Sequence, residues 1–298
     1  MADATLASSV RRIAVLGAGT MGHGIAHAAV AGGFETSLYD VDGVAVEKGV
    51  AAIEKILRKA VELGKLPAGD VDAISSRLTG TTDLASALAD ADLVIEAAPE
   101  RIDVKLALFA EIDRLAPASA IIASNTSALS ITEMAGSLKN PTRVAGMHFF
   151  NPVHKMGLIE IVRALESSPG ALAVIEDVAR RMHKETVVVR ESPGFITTRV
   201  NASIGNEAFY MLMEGVATAR DIDKALKLGL NHPMGPFELV DLVGLDTRLS
   251  ILEYLHRSMG EKYRPCPLLV QYVKAGRLGR KVGKGVYEYG RGSMMNDE

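Results

Sequence analysis

Three glycines spaced Gly17-x-Gly19-x-x-Gly22 close the apolar run "IAVL" and open the helix-like stretch "MGHGIAHAAVAGG". An acidic residue, Asp40, ends the next apolar run 18 residues beyond Gly22. A strand that turns into a helix through glycines, with an acid after the following strand, is the pattern of a βαβ unit that takes a dinucleotide. Each glycine has a physical reason: Gly17 permits the tight turn, Gly19 lets a pyrophosphate approach the backbone, and Gly22 lets helix and strand pack closely. Thr20 and Met21 lie where a helix N-terminus presents oriented N–H groups and partial positive charge to the phosphates. A carboxylate at Asp40 accepts hydrogen bonds from ribose hydroxyls and repels a 2'-phosphate, which favours NAD over NADP.

The first part of the chain alternates short apolar runs with longer segments of helical period. "ETSLYD" precedes a long helix near Val44 to Leu63, and "LVIEAAPE", "AIIASNTS" and "RVAGMHFF" follow. Strands alternating with helices predict an α/β fold, a doubly wound parallel sheet with helices on both faces and its ligand crevice at the carboxyl ends of the strands. After "TVVVRESPGF" the pattern changes to helix-length amphipathic segments punctuated by Gly and Pro. The expected organisation is therefore a dinucleotide domain over 1–191 and an all-α domain over 192–298. In the second domain, Thr218 and Asp221 have capping-box spacing, Gly229 is expected to close that helix, Pro236 to sit in a first turn and Asp246 to act as a cap.

"RVAGMHFFNPVHKMGLIEIV" holds the candidate chemistry. Glu160 stands between Ile159 and Ile161 in a strand-like run, where a buried carboxylate is costly unless it is paired. Pro152 and Gly157 mark a turn, so the second run is expected to fold back on the first and bring Glu160 to His148, twelve residues earlier. A carboxylate there orients the imidazole and stabilises its charged form, which makes His148 a candidate base. In "SNTSALSITE", Ser130 and Glu133 have capping-box spacing, leaving Ser127 as the freer hydroxyl in the preceding loop.

Composition narrows the partners. A net charge of -3 with both signs mixed provides no basic face for nucleic acid and no polybasic arm for a membrane, and no apolar stretch reaches the roughly 18 residues of a membrane span. A small molecule is the expected partner. Cys266 is the single cysteine, which excludes an internal disulfide and a multi-cysteine metal site and fits a cytoplasmic location. No metal is expected. Met1 to Ser9 lacks the pattern of a secretory signal, and "GRGSMMNDE" is expected to be a loose tail.

Eight ordered motifs, "GAGTMG", "LYD", "IEAAPE", "SNTSALSIT", "GMHFFNP", "ESPGFI", "KLGLNHPMGPFELVDLVGLDT" and "LGRKVGKGVYEY", cover nearly the whole chain. Through them the sequence resembles the NAD-dependent L-3-hydroxyacyl-CoA dehydrogenases, and among these the bacterial 3-hydroxybutyryl-CoA dehydrogenases. The resemblance implies a Rossmann domain joined to a helical domain that also dimerises. It implies that His148 is the catalytic base, Glu160 its paired carboxylate and Ser127 the hydroxyl that binds the reacting oxygen. It places Asp40, Glu100, Lys105, Ser127, Asn151 and Lys281 at the dinucleotide; for Lys105 and Lys281 the sequence by itself reads as solvated surface. One departure stands out. Where many relatives have Asn after "PGF" and two further residues, this chain has Thr198, and Asn201, one helical turn on, is the other candidate for that amide's role.

The activity implied is the interconversion of a short-chain 3-hydroxyacyl-CoA and its 3-oxoacyl-CoA with NAD. Lys55, Arg58 and Lys59, with Lys65 beyond them, are the expected attraction for the CoA phosphates. Two alternatives remain open on the sequence. One is a dehydrogenase of a free hydroxy or sugar acid such as L-gulonate, and the other is a crystallin-like protein that binds NAD without turnover.

Overall fold

The structure, a computed structural model, describes residues 10–290. The leader Met1 to Ser9 and the tail beyond Gly290 lie outside the described residues. The chain divides into two compact units, the first ending at Ser192 and the second beginning at Pro193.

In the first unit the elements run β1 (Arg12–Leu16), α1 (Thr20–Ala31), β2 (Glu35–Tyr39), α2 (Gly43–Glu62), α3 (Asp70–Ser75), β3 (Leu78–Thr81), α4 (Leu84–Leu88), β4 (Leu93–Glu96), α5 (Ile102–Leu115), β5 (Ile121–Ser124), α6 (Ile131–Gly136), β6 (Val144–His148), β7 (Leu158–Arg163), α7 (Pro169–Arg181) and β8 (Glu185–Arg190). The strands form one sheet in the order β3-β2-β1-β4-β5-β6-β7-β8. Every pairing is parallel except β6 with β7. Every residue of β4 and β6 is buried, as expected of strands covered on both faces. The flanking helices bury one stripe each. In α2, for example, Val46, Gly49, Ile53 and Leu57 face the sheet, and the Asp42 side chain caps the first turn by accepting from Val44 N.

Strand order reverses at β1, whose neighbours are β2 on one side and β4 on the other. A ligand crevice forms at such a point, outside the carboxyl ends of the strands. Four residues or loops with candidate chemistry therefore share one edge of the sheet: Gly17 after β1, Glu96 at the end of β4, Ser124 to Ser127 at and beyond the end of β5, and His148 at the end of β6. Strand β3 was not expected from the sequence. "LTGT" has a central glycine, lies at the sheet edge and exposes two of its four residues, so it carries no apolar signal.

The second unit contains α8 (Thr197–Met213), α9 (Ala219–Gly229), α10 (Pro236–Val243), α11 (Leu245–Met259) and α12 (Pro267–Lys274), followed by isolated bridges that join Lys284 to Gly279 and Glu288. Two buried aspartates organise it. Asp223 accepts from Phe237 N, Glu238 N and the Tyr287 hydroxyl, so its charge sits at the start of α10, where the helix dipole favours an anion. Asp241 accepts from Val286 N, Tyr287 N and the Tyr289 hydroxyl. A Cβ at Gly285 would fall 2.0 Å from the Asp241 carboxylate, and one at Gly235 would fall 2.3 Å from that of Asp223. Gly285, Tyr287 and Tyr289 of "GKGVYEY" are thus the counterpart of the acids in "DID" and "LVD".

Two cap expectations need correction here. Asp246 is not a cap: α11 begins at Leu245 after Gly244, and the Asp246 carboxylate pairs with Lys281. Gly229 is the last helical residue of α9, and the left-handed position after it falls on Asn231, at φ 56°. Ser130 caps α6 as expected, accepting from Glu133 N, and its hydroxyl also donates to Glu191. Thr218 and Pro236 take their expected places.

Candidate active site

β7 folds back antiparallel on β6, and the register sets His148 directly opposite Glu160. Directly opposed residues on one sheet face are close enough for their side chains to bond, and His148 Nδ1 lies 2.7 Å from Glu160 Oε2. Both residues are buried, Glu160 completely. A carboxylate accepts only, so Nδ1 carries the proton and donates; Nε2 is then the acceptor and receives the Ser127 hydroxyl at 3.1 Å. Carboxylate, imidazole and hydroxyl stand in one hydrogen-bonded line.

The loop that carries Ser127 is fixed by the rest of "SNTS". Asn125 Oδ1 accepts from Phe149 N, tying the loop to the residue after His148. Thr126 Oγ1 accepts from Leu129 N. Glu100 Oε1 accepts from the Thr126 hydroxyl at 2.5 Å and from Ser127 N at 2.9 Å. Behind it lies a group that the sequence did not single out: Glu96 is fully buried and accepts from Lys105 Nζ, Ser124 Oγ and Ala98 N, each at 2.6 Å. Its signal was the one that marked Glu160, an acid inside an apolar run. Lys105 is not a solvated surface lysine. It is 1% exposed, and its ammonium joins Glu96 and the Ala98 carbonyl, 3.4 Å from Glu100. An unpaired ammonium at such burial would be costly, and the two acids compensate it.

The glycine turn forms a cradle that fits a dinucleotide. Gly17 has φ +108°, and a Cβ there would lie 2.6 Å from Ala97 O; a Cβ on Gly22 would lie 1.6 Å from Gly17 O. Nothing lies within 4 Å of the Cβ position of Gly19, so the turn is closed underneath and open above. Asp40 is held beside it by accepting from Ala18 N and Asp42 N, so its carboxylate is oriented at the end of β2. Thr20 and Met21 open α1 as expected, and Asn151 is exposed three residues after His148. Among the described residues no group of three or more His, Cys, Asp or Glu could hold a metal ion.

The remaining candidates are dispersed. Lys281 Nζ lies 2.7 Å from both carboxylate oxygens of Asp246 in the second unit. On α2, Arg58 pairs with Glu54 and Lys59 with Glu62, all at the surface, and Lys55 is exposed on the same helix. In α8, Asn201 lines an apolar groove of about 370 Å³ with Val200, Ile204, Pro233 and Met234. Thr198 does not line it, so the two candidates for the missing amide do not share that surface.

A parallel sheet with a glycine cradle at its switch point and a carboxylate–imidazole–hydroxyl line on the same edge defines a dinucleotide-dependent dehydrogenase of Rossmann type. The particular family follows from comparison. Residues 12–192 match the family model of the 3-hydroxyacyl-CoA dehydrogenase NAD binding domain, and residues 194–289 that of the 3-hydroxyacyl-CoA dehydrogenase C-terminal domain. The chain belongs to the 3-hydroxyacyl-CoA dehydrogenase family. It is 46% identical over 281 residues to a probable 3-hydroxybutyryl-CoA dehydrogenase of Bacillus subtilis, covering 94% of this chain and 98% of that one. It is 41% identical over 285 residues to a 3-hydroxybutyryl-CoA dehydrogenase of Bradyrhizobium diazoefficiens, covering 95% and 97%. Among solved structures, an (S)-3-hydroxybutyryl-CoA dehydrogenase from Ralstonia eutropha is similar with a TM-score of 0.91 at 42% identity, covering 95% of this chain and all of that one.

Proposed function

We propose that this chain interconverts a short-chain L-3-hydroxyacyl-CoA and the corresponding 3-oxoacyl-CoA with NAD, and that His148, Glu160 and Ser127 carry the proton side of the reaction. The observation that supports it is the hydrogen-bonded line Glu160–His148–Ser127 on the sheet edge that also bears the glycine cradle. Bound NAD supplies the hydride acceptor. In the oxidation direction, Ser127 holds the substrate hydroxyl and His148 Nε2 takes its proton, while Glu160 stabilises the imidazolium that forms. Glu100 keeps the Ser127 loop in place, and Glu96 with Lys105 keeps the strand ends beneath it in register. The reading includes a cytoplasmic homodimer joined through the helical unit. Chemical crosslinking of dilute enzyme tests the dimer.

The test of function is NADH oxidation followed by absorbance, with acetoacetyl-CoA against free acetoacetate and L-gulonate. The CoA ester is expected to be reduced with kcat/KM orders of magnitude above either free acid, because contacts remote from the reacting carbon also lower the barrier. Comparable values for a free acid would assign the chain to hydroxy acids, and no turnover of any of them would leave a binding protein.

The missing amide has a separate test. Because Asn201 faces a groove and Thr198 does not, Asn201→Ala is expected to lower kcat/KM by about tenfold, the scale of one hydrogen bond to a polar group, and Thr198→Ala by less. Equal small losses would remove both residues from the reaction.

A further inference from the structure

Beyond the His148 line, one carboxylate in the first unit holds three separate segments together. Glu191 follows β8 and stands two residues before Pro193, where the second unit begins. It is half-buried and receives three donors from the start of α6. The Ser130 hydroxyl reaches Oε1 at 2.6 Å, and Thr132 N and the Thr132 hydroxyl reach Oε2 at 2.8 and 2.5 Å. Glu191 N donates to the carbonyl of Arg163, the last residue of β7, at 3.0 Å. Thr132 Oγ1 accepts in turn from Leu165 N at 3.0 Å. These bonds join the segment that follows Ser127, the end of the strand that carries Glu160, and the end of β8.

Helix capping does not account for so many bonds. α6 has six residues, and the Ser130 hydroxyl already caps it by accepting from Glu133 N. A carboxylate that takes one N–H and two O–H donors is a strong, directional junction. Its place along the chain gives that junction a use. Ser127 lies on a loop whose upstream end is fixed by Asn125, the acceptor for Phe149 N. The downstream end is fixed at Ser130 and Thr132, with Ile131 buried between them. The bonds in between shape the loop itself: Ala128 N and Leu129 N meet Thr126 Oγ1, while Ser127 N and the Thr126 hydroxyl meet Glu100, whose side chain is 45% exposed. A loop held at one end pivots, and a loop held at both ends presents its middle residue in one place. Ser127 Oγ stands 3.1 Å from His148 Nε2, and a displacement of about 1 Å at a reacting group costs on the order of a hundredfold in rate.

We propose that Glu191 is a positioning residue for Ser127 in the reaction put forward above, on which this assignment rests. It acts through Ser130 and Thr132 on the far end of the loop. Its oxygens matter more than its charge: a glutamine keeps an acceptor for Thr132 and offers N–H donors to the Ser130 oxygen. Removal of the side chain frees the downstream end, so Ser127 spends less time at hydrogen-bond distance from His148, while the cradle on β1, α1 and β2 keeps its bonds.

Amide exchange in the intact enzyme, followed by NMR without substrate, tests the tie. Ser127 N and Ala128 N bond Glu100 and not Glu191, so a change in their exchange is transmitted along the loop. Both are expected to exchange about tenfold faster in Glu191→Ala and within about twofold of wild type in Glu191→Gln. Unchanged exchange in Glu191→Ala overturns the proposal whatever the enzyme's activity. If that variant does not fold, Thr132→Val takes its place, since it removes one bond and keeps the shape; about threefold faster exchange is expected there, and no change overturns the proposal equally.

A double-mutant cycle tests the use of the tie. Glu191→Ala is expected to lower kcat for acetoacetyl-CoA reduction about tenfold, with the Kd of NADH within about twofold of wild type. In a Ser127→Ala enzyme the same substitution is expected to cost less than about twofold, because no hydroxyl is left to place. Equal losses in the two backgrounds make Glu191 a purely structural residue and overturn the proposal. If the wild-type enzyme reduces no acetoacetyl-CoA, the reaction put forward above fails, and amide exchange alone decides the tie.

Discussion

Replacing His148 with glutamine is expected to lower kcat for acetoacetyl-CoA reduction by about a hundredfold or more, the usual scale for loss of a general acid–base group. Glutamine has nearly the length of histidine and keeps a donor for Glu160, so the buried carboxylate stays hydrogen-bonded and the β6–β7 pairing survives. What disappears is the site proposed to exchange a proton with the substrate oxygen. NADH affinity, followed by fluorescence titration, is expected to change less than threefold, because the glycine cradle and Asp40 belong to β1, α1 and β2. Glu160→Gln is expected to retain more activity, since it preserves the contact and removes only the charge that stabilises imidazolium. A His148→Gln enzyme within a few-fold of wild type would remove His148 from the chemistry, and a matching loss of NADH affinity would make its role structural.

The pairing behind that expectation was legible in the sequence because period-two patterning, a proline and a glycine suffice to fold one strand onto another. The glycine spacing and Asp40 likewise announced the cradle, and the alternation of runs announced a doubly wound sheet. What stayed hidden was set by contacts across the fold. Glu96 and Lys105 are nine residues apart, but their bond depends on how α5 lies against the end of β4, which no local pattern encodes. Asp223 and Asp241 carry no local signal of burial; both are buried because groups distant in sequence close around them, Phe237 N, Glu238 N and the Tyr287 hydroxyl on Asp223, and Val286 N, Tyr287 N and the Tyr289 hydroxyl on Asp241. Asp246 resembled a cap and is instead the partner of Lys281, since Gly244 with φ +106° already starts the helix. The fold-back of β7 shows the same division. Its existence followed from local turn signals, and its consequence, a parallel sheet with one antiparallel junction, required the whole strand order.

Gly22→Ala and Gly19→Ala are expected to separate the two duties of the glycine turn. At Gly22 the added methyl would stand 1.6 Å from Gly17 O and 2.7 Å from Gly17 C, both backbone atoms. Gly17 cannot retreat. Its N–H is bonded to Tyr39 O at 2.8 Å, its φ of +108° suits only glycine, and Ala97 O closes the space on its far side. The first turn of α1 must therefore move away from β1, with a packing cost of about 1–3 kcal/mol or more and a fall in thermal midpoint of about 5 °C or more. NADH affinity is expected to fall with it by at least about a hundredfold, since the N–H groups that meet the pyrophosphate are displaced together. Gly19 differs in both respects: its φ of −67° is open to any residue, and nothing lies within 4 Å of the added methyl. Gly19→Ala is therefore expected to melt within about 2 °C of wild type and still bind NADH at least about tenfold more weakly, because the methyl occupies the approach of the pyrophosphate. Calorimetry paired with NADH titration reads both quantities on each variant. Wild-type NADH affinity in Gly19→Ala would show that the dinucleotide does not pass over this turn, and a stable, NADH-binding Gly22→Ala would show that the contact between α1 and β1 is looser than a 1.6 Å overlap allows.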